Sequence, residues 1–158
     1  EQPDVHYLIA GEGCDQHNTE LAGIRSGAPL PNNFHFLGLR SDIEDVTAAL
    51  DVATCTSIGE GFPNAVGEAM ACGIPCIATD VGDNQEICAN DELIVPAGNV
   101  DALHARLSKV LSMEEEARRA LGLSGRQRIA DTYELADIVD RYQHFFDEIA
   151  CGTTRGAS

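Results

Sequence analysis

The sequence predicts an α/β fold built on a doubly wound parallel sheet. Short apolar runs of strand length alternate with helix-length segments, and several of these runs end in a glycine-containing turn. Ligands of such sheets bind beyond the carboxyl ends of the strands. We therefore expect the turns at 11–13, 39–40, 57–64 and 81–84 to lie at one ligand-binding edge.

The first third of the chain predicts two strands and two helices. A continuous apolar and β-branched run over 5–10 indicates a buried strand, which turns at Gly11-Glu12-Gly13. We expect a helix over 15–25, a loop over 27–33 and a short strand over 34–37. Ser41 is a plausible N-cap for a helix over 42–50.

The central third predicts a strand, a glycine-rich loop, a helix and a buried strand, in that order. The strand ends near Ser57, and Pro63 suits the first position of a helix that continues over 64–72. Gly73 is expected to end this helix in a left-handed conformation, before a strand over 74–79. A turn over 81–84 then leads into a short helix that begins at Asn84.

The last third is predicted to be mostly helical after a strand over 92–95. Apolar residues share one face of a helix over 100–111, and a second apolar stripe marks a helix over 134–149. The charged segment 113–129 is predicted to be helical but interrupted near Gly122–Gly125. We expect residues 1–150 to form one domain and 151–158 a disordered tail.

Two glutamates flank the start of the central helix. Glu60 lies in the loop, and Glu68 lies roughly 7–8 Å further along the helix axis if the helix begins near Pro63. Free backbone N–H groups of the first helical turn would then lie between two carboxylates, forming an anion site flanked by two acceptors for hydroxyl groups. The alternative is an incidental loop acid and an ordinary surface acid, because acids are common near helix N-termini.

The stretch EGFPNAVGEAMACGIPCIATDVG resembles the E-x7-E motif of the GT-B retaining glycosyltransferases of family 4 (group 1). The two glutamates, the glycine and phenylalanine, the helix and the following strand all fall in register with that motif. The resemblance extends from about residue 6 to about residue 150 and is weakest after 112. It implies a Rossmann-like, donor-binding C-terminal half of a GT-B fold.

The resemblance implies roles for individual residues. Glu60 would contact hydroxyl groups of the donor sugar and assist the charge that develops at the reacting carbon, so it is the candidate catalytic residue. Glu68 would hold the ribose. The other expected donor-binding residues are Gly11, Gly13, Leu39, Arg40, Gly61, Phe62, Pro63, Asn64 and Ala65. The alternative for Arg40 is an ordinary surface arginine.

The resemblance also implies missing parts. The family's domain begins one strand earlier, with a Gly-Arg turn and a lysine-bearing helix that hold the donor phosphates, and the chain starts too late to contain them. We therefore expect a fragment with a sheet that is incomplete at its N-terminus. Its acceptor, a sugar or a lipid-linked molecule, would bind through the missing N-terminal domain. Alone, the fragment is expected to be inactive and to self-associate through the exposed strand edge.

Composition excludes several classes of function. The net charge is −16 with a single lysine, Lys109, which argues against a nucleic-acid partner. No apolar run of 18 residues occurs, and the chain opens without a signal sequence or an initiator methionine. We interpret it as a piece of a longer cytoplasmic protein, with the missing domain as a possible peripheral contact to the inner membrane face.

No metal or other cofactor is expected beside the nucleotide-sugar substrate. Residues 80–83, Asp-Val-Gly-Asp, do not form a DxD motif, and the six cysteines lack zinc-ligand spacing, so buried free thiols are the expectation.

Two other classes of function stay open. One is a GT-B nucleotide-sugar epimerase, and the other is a non-catalytic nucleotide-binding or regulatory α/β module.

Overall fold

The computed structural model describes residues 5–15, 17–19, 21 and 33–151. Within it the chain forms two compact units, Glu1–Ile43 and Glu44–Ser158. Most of the helix predicted over 15–25, most of the loop predicted over 27–33, and the tail predicted from 152 lie outside the described residues.

The first unit contains two parallel strands, β1 (Tyr7–Ala10) and β2 (Phe34–Gly38). Tyr7 pairs with Phe34, and their rings stack with centroids 4.5 Å apart. The register shifts between Ile9 and Ala10, so that Ala10 pairs with Gly38. Both strands were predicted, and their observed limits differ from the predicted ones by one or two residues.

The second unit is built on a parallel sheet with the strand order β3 (Ala53–Cys55), β4 (Cys76–Thr79) and β5 (Ile94–Val95). All four residues of the central strand β4 are buried, as expected of a parallel strand that is covered on both faces. The parallel α/β class predicted from the sequence is therefore confirmed. The further prediction of a single doubly wound sheet concerns both units together and stays a prediction.

Six α-helices are described. They are α1 (Ile43–Ala48), α2 (Asn64–Ala71), α3 (Asn84–Cys88), α4 (Val100–Leu111), α5 (Glu115–Tyr133) and α6 (Leu135–Ala150), and a 3-10 turn at Asp91–Leu93 precedes β5. Asn99 caps α4 by accepting a hydrogen bond from the backbone N–H of Ala102 at 2.9 Å. No helix among the described residues is long and apolar enough to cross a membrane.

The core of the second unit lies on both sides of β4. On one side α2 and α3 contribute most of the buried residues, with Val66, Met70 and Ile87 at the centre. On the other side Ile77 packs with Leu93, Val95 and Val110. The strand is thus enclosed between α2 and α4, which fixes where its carboxyl end, and the loops around it, must lie.

The predicted interruption of the helix near Gly122–Gly125 is wrong, because α5 runs without a break through both glycines. A Cβ atom on Gly122 would lie 1.9 Å from the carbonyl oxygen of Gly73, and one on Gly125 would lie 3.5 Å from Met70. Glycine weakens an isolated helix by about 1 kcal/mol relative to alanine. Here it allows α5 to approach the end of α2, and tertiary packing outweighs the local propensity.

A second correction concerns Pro63. The sequence predicted it at the first helical position, but its ψ of 93° is extended, and α2 begins at Asn64. The carbonyl of Pro63 accepts the backbone N–H of Val66 at 3.1 Å, so Pro63 is the N-cap residue. The predicted helix end is confirmed, since Gly73 has a φ of +77° and donates its N–H to the carbonyl of Met70.

Candidate functional site

The loop between β3 and α2 is tied to the end of β4 by a buried hydroxyl. Thr79, the last residue of β4, donates its Oγ1 hydrogen to the carbonyl of Ser57, at 2.6 Å. The carbonyl of Cys55 lies 3.4 Å from the same hydroxyl. Thr79 is only 4% exposed, so this contact is shielded from water and holds the start of the loop beside the centre of the sheet.

A second loop packs directly against the same segment. Gly82 has a φ of +52°, and a Cβ atom there would lie 2.4 Å from the carbonyl oxygen of Gly61 and 2.6 Å from that of Glu60. Only a glycine therefore allows this close approach of backbones. The next residue, Asp83, donates its backbone N–H to Gly61 at 3.1 Å.

The carboxylate of Glu60 is held by a neighbouring side chain. Ser57 Oγ donates a hydrogen bond to Glu60 Oε1 at 2.6 Å, a length typical of a hydroxyl bonded to a carboxylate. Glu60 is exposed and Ser57 is half-buried. This bond occupies Oε1 of Glu60, and Oε2 has no hydrogen-bond partner among the described residues.

The N-terminus of α2 lies at the end of this loop and has no side-chain cap. The first N–H groups of an α-helix have no acceptor within the helix, and the macrodipole gives this end a partial positive charge. Asn64 and Ala65, which carry two of these groups, are exposed. An anion can therefore reach the first turn of α2 without displacing a protein group.

Glu68 lies one turn further along α2 and is exposed. No ion pair or side-chain hydrogen bond of the described residues involves its carboxylate. The two predicted acids are thus both exposed and belong to one compact unit, Glu60 before the uncapped N-terminus of α2 and Glu68 one turn after it. Beside them, Phe62 is 52% exposed and its ring meets that of Tyr133 edge to face, with centroids 5.8 Å apart.

The remaining predicted donor-binding residues belong to the first unit. Gly11 and Gly13 have φ values of +138° and +72°, so both take conformations that favour glycine. The turn is closed by hydrogen bonds from Gly11 N–H to the carbonyl of Gly38, at 2.9 Å, and from Gly38 N–H to that of Cys14, at 2.8 Å. The meeting of this turn with the α2 loop involves both units and stays a prediction.

Leu39 and Arg40 follow β2 directly and are exposed, with Leu39 at 80%. The guanidinium of Arg40 donates two hydrogen bonds to Asp42, at 2.8 and 2.6 Å. These bonds raise the pKa of Arg40 and lower that of Asp42. The charge of Arg40 is therefore already paired with Asp42 within the first unit.

Histidine, cysteine and acidic side chains do not gather into a metal-binding group of three anywhere in the described part of the chain. The cysteines there are free thiols, and burial raises the pKa of Cys76 well above its usual range and that of Cys88 to about 11. The protonated thiols of Cys76 and Cys88 serve as small apolar groups of the core. The prediction of buried thiols is confirmed for these two alone, since Cys14, Cys55 and Cys72 are half-buried and Cys151 is exposed.

The sequence placed Ser57 in the loop at the predicted ligand-binding edge but gave it no role, and it did not identify Thr79 at all. Ser57 and Thr79 are ordinary strand-end residues by composition, and only their partners, Glu60 and the Ser57 carbonyl, identify them. The three-residue interval between Ser57 and Glu60 was available in the sequence. It carries no information without the loop conformation that brings the hydroxyl and the carboxylate together.

Comparison with known proteins gives a consistent result. A family model described as "Glycosyl transferases group 1" matches residues 1–113. One relative, from Campylobacter jejuni, is an N,N'-diacetylbacillosaminyl-diphospho-undecaprenol alpha-1,3-N-acetylgalactosaminyltransferase. It is 31% identical over 90% of this chain and 36% of its own length. An Escherichia coli UDP-Gal:alpha-D-GlcNAc-diphosphoundecaprenol alpha-1,3-galactosyltransferase is 25% identical over 91% and 37%, respectively.

Among solved structures, Anabaena HepE in complex with UDP-glucose matches with a TM-score of 0.79 and 21% identity. The match covers 92% of this chain and 42% of HepE. At this identity the likeness establishes the fold alone, which is that of GT-B glycosyltransferases. The chain spans about two fifths of the length of each of these three proteins.

Proposed function

Because this chain belongs to the group 1 glycosyltransferases, we propose that it is the part of such an enzyme that binds a nucleoside diphosphate sugar. In the whole protein the sugar would pass to an acceptor with retention of configuration. One observation carries the proposal: the N-terminus of α2 is uncapped, an exposed glutamate precedes it in the loop, and another follows it by one helical turn. That order of groups matches sugar hydroxyls, diphosphate and ribose hydroxyls.

The diphosphate is the leaving group of the proposed reaction, and its negative charge increases as its bond to the sugar breaks. Backbone N–H groups around Gly61, Phe62, Asn64 and Ala65 would face it, with the positive end of the α2 dipole behind them. Fixed donors of this kind stabilise developing charge without having to reorganise during the reaction. Gly82 and Asp83 support the arrangement by holding the Gly61 carbonyl from behind.

Glu60 would act on the sugar and Glu68 on the ribose. The carboxylate of Glu60 would accept hydrogen bonds from hydroxyl groups of the sugar and would stabilise the positive charge that grows on the reacting carbon. The ribose does not change during the reaction, so Glu68 would bind the ground state and the transition state equally. Retention is inferred from the likeness to the family alone, and no residue of the loop is proposed as a covalent nucleophile.

The relatives indicate a class of donor and acceptor. HepE was solved with UDP-glucose, and the Escherichia coli and Campylobacter jejuni relatives are named for transfers to diphospho-undecaprenol-linked sugars. We propose a nucleoside diphosphate hexose as donor and a sugar or lipid-linked sugar as acceptor. The acceptor would bind through a part of the protein outside this chain, and a lipid-linked acceptor would bring the enzyme to the cytoplasmic membrane face.

Paired substitutions of the two acids test this proposal in the full-length enzyme. With UDP-glucose and UDP-galactose as donors, Glu60→Gln should lower kcat by about 10²–10³-fold with little change in donor KM. Glu68→Gln should raise donor KM roughly tenfold and spare kcat, since it removes a charged hydrogen bond made equally in both states. Glu116→Gln, at an exposed acid in the first turn of α5, is the matched control.

Two results would contradict the assignment. Full activity in both variants would mean that the two acids are incidental to donor binding and to transfer. If Glu68→Gln lowers kcat at constant KM while Glu60→Gln has wild-type kinetics, the roles of the two acids are reversed. Calorimetric titration of the full-length protein with the same nucleotide sugars, run beside the transfer assay, tests the module alternatives. Donor binding without transfer would favour a non-catalytic nucleotide-binding module, and no donor binding would favour a regulatory module.

We also propose that transfer does not require a divalent metal. The acids at 80–83 lack DxD spacing, and the helix dipole offers positive charge at the proposed diphosphate position. Activity of the full-length enzyme should therefore survive EDTA. A loss that manganese or magnesium restores would refute this part of the proposal and leave the roles of the two acids untouched.

A further inference from the structure

We propose that Ser57 is a positioning residue for Glu60, and that its hydroxyl holds the Glu60 carboxylate in the orientation that the reaction requires. This inference rests on the proposed function of Glu60. It assigns a role to a residue that makes no contribution to the anion site itself. The observation behind it is the 2.6 Å hydrogen bond from Ser57 Oγ to Glu60 Oε1.

An exposed glutamate has several side-chain rotamers, and each would place its charge at a different point. A carboxylate that samples all of these rotamers stabilises a developing charge less than one held in a single orientation. Its position in the transition state is then not fixed in advance. The bond to Ser57 restricts Glu60 to the rotamers in which Oε1 meets the hydroxyl. Oε2 then remains for the ligand.

Ser57 can restrict Glu60 only if Ser57 is itself fixed. Its carbonyl accepts the buried hydroxyl of Thr79 at 2.6 Å, which anchors it to the central strand β4. On the far side of the loop, Gly82 packs against the carbonyl of Glu60, so the backbone of the glutamate is fixed as well. The side-chain bond therefore links two points whose backbones are already held by the sheet and by the 81–84 turn.

A purely local role is the competing explanation for this serine. Its hydroxyl also lies 3.8 Å from the thiol of Cys55, a weak contact that could serve the strand end alone. The two explanations differ in what they predict for catalysis. A structural serine would affect stability and donor binding whatever residue stands at 60, whereas a positioning serine acts on kcat and only through Glu60.

The experiment compares four variants of the full-length enzyme, assayed with UDP-glucose and UDP-galactose as above. Ser57→Ala should lower kcat about tenfold, as expected for the loss of one charge-assisted hydrogen bond, and change donor KM less than twofold. Ser57→Thr keeps the hydroxyl and should recover most of kcat. Ser57→Ala combined with Glu60→Gln should be no slower than Glu60→Gln alone.

Ser112→Ala is the matched control, because it also removes a serine hydroxyl that donates a hydrogen bond, here to the carbonyl of Lys109 at the end of α4. It should leave kcat and KM unchanged. Calorimetric donor binding by each variant shows that the site is folded. If Ser57→Ala retains wild-type kcat, or if its effect adds fully to that of Glu60→Gln, the positioning role is wrong.

The outcome also distinguishes this inference from the proposed function. If Glu60→Gln loses kcat while Ser57→Ala does not, Glu60 keeps its role and the serine has none. If Glu60→Gln is fully active, the role of Glu60 fails and the positioning role fails with it. A fall in kcat for Ser57→Ala that Ser57→Thr does not reverse would assign the effect to packing of the serine and would overturn the inference.

Discussion

Helices α2 and α6 each carry an apolar stripe, but other elements cover the stripe of α2, whereas the stripe of α6 is exposed. The buried residues of α2 are Val66, Ala69 and Met70, which pack against β3 and β4. In the described structure α6 has no buried residue, although its stripe is longer and more aromatic. The comparison separates two properties of a helix: which face is apolar, and whether another element covers that face.

The stripe of α6 repeats at intervals of four and three residues. Its exposed members are Leu135, Val139, Tyr142, Phe145, Phe146 and Ile149, each between 47% and 73% exposed. The sequence predicted the helix and its stripe correctly. The exposed aromatic face also provides a second reason, besides a strand edge, to expect self-association of the chain alone.

The largest expected effect comes from truncating one large apolar residue on each helix. Met70→Ala should destabilise this chain by about 2–5 kcal/mol, because it leaves a cavity where the buried Met70 side chain meets α5. Phe146→Ala removes a larger side chain that is 62% exposed, and should change the free energy of unfolding by less than about 0.5 kcal/mol. Urea denaturation of both variants at low protein concentration measures the difference.

Light scattering of the same two variants tests whether the exposed face of α6 causes the chain to associate. Phe146→Ala should reduce any concentration-dependent association of the chain, and Met70→Ala should not. If Phe146→Ala proves as destabilising as Met70→Ala in the monomer, the apolar face of α6 is covered in solution and the comparison fails.

A smaller effect is expected where α5 meets the end of α2. Gly122→Ala should destabilise by roughly 1–3 kcal/mol, because the added methyl group would overlap the carbonyl of Gly73. Gly125→Ala, three residues on in the same helix, meets Met70 at an ordinary 3.5 Å and should be neutral or stabilising by up to about 1 kcal/mol. Thermal melts of the two variants would show the opposite signs, and equal shifts would contradict the close approach.

The smallest effects are expected from the cysteines of the two regions. Cys76 and Cys88 are buried beside α2 and α3, whereas Cys151, directly after α6, is exposed. A thiol reagent should therefore modify Cys151 rapidly and the buried pair only as the core opens. Rapid labelling of Cys76 or Cys88 in the native chain would show that the core beside α2 is not closed.

The same burial gives a pH dependence with a definite sign. Burial raises the pKa of Cys88 to about 11, whereas an unfolded thiol ionises near pH 8.5. Between these values the folded chain binds more protons than the unfolded chain, so its stability should fall as pH rises above about 8.5. Cys88→Ala should flatten this slope, measured by urea denaturation between pH 8 and 11.

The local pattern of apolar, glycine and capping residues was enough to predict most elements of this protein. The strands over 7–10 and 76–79, the helix over 100–111 and the left-handed Gly73 follow from interactions between near neighbours in the chain. The positions of Glu60 and Glu68 around the N-terminus of α2 could also be predicted, because the spacing of two acids around a helix start is a local property, whereas their roles stay a prediction.

Contacts between distant residues decided the rest. Gly122 does not interrupt α5, because the helix packs at this position against Gly73, 49 residues earlier in the chain. The role proposed for Ser57 depends on two contacts, that of its carbonyl with Thr79 and that of its hydroxyl with Glu60. The exposure of α6 is decided in the same way, since an apolar stripe specifies a face but not its partner. A sequence pattern records which groups a segment offers, whereas packing free energy depends on what meets those groups in the folded chain.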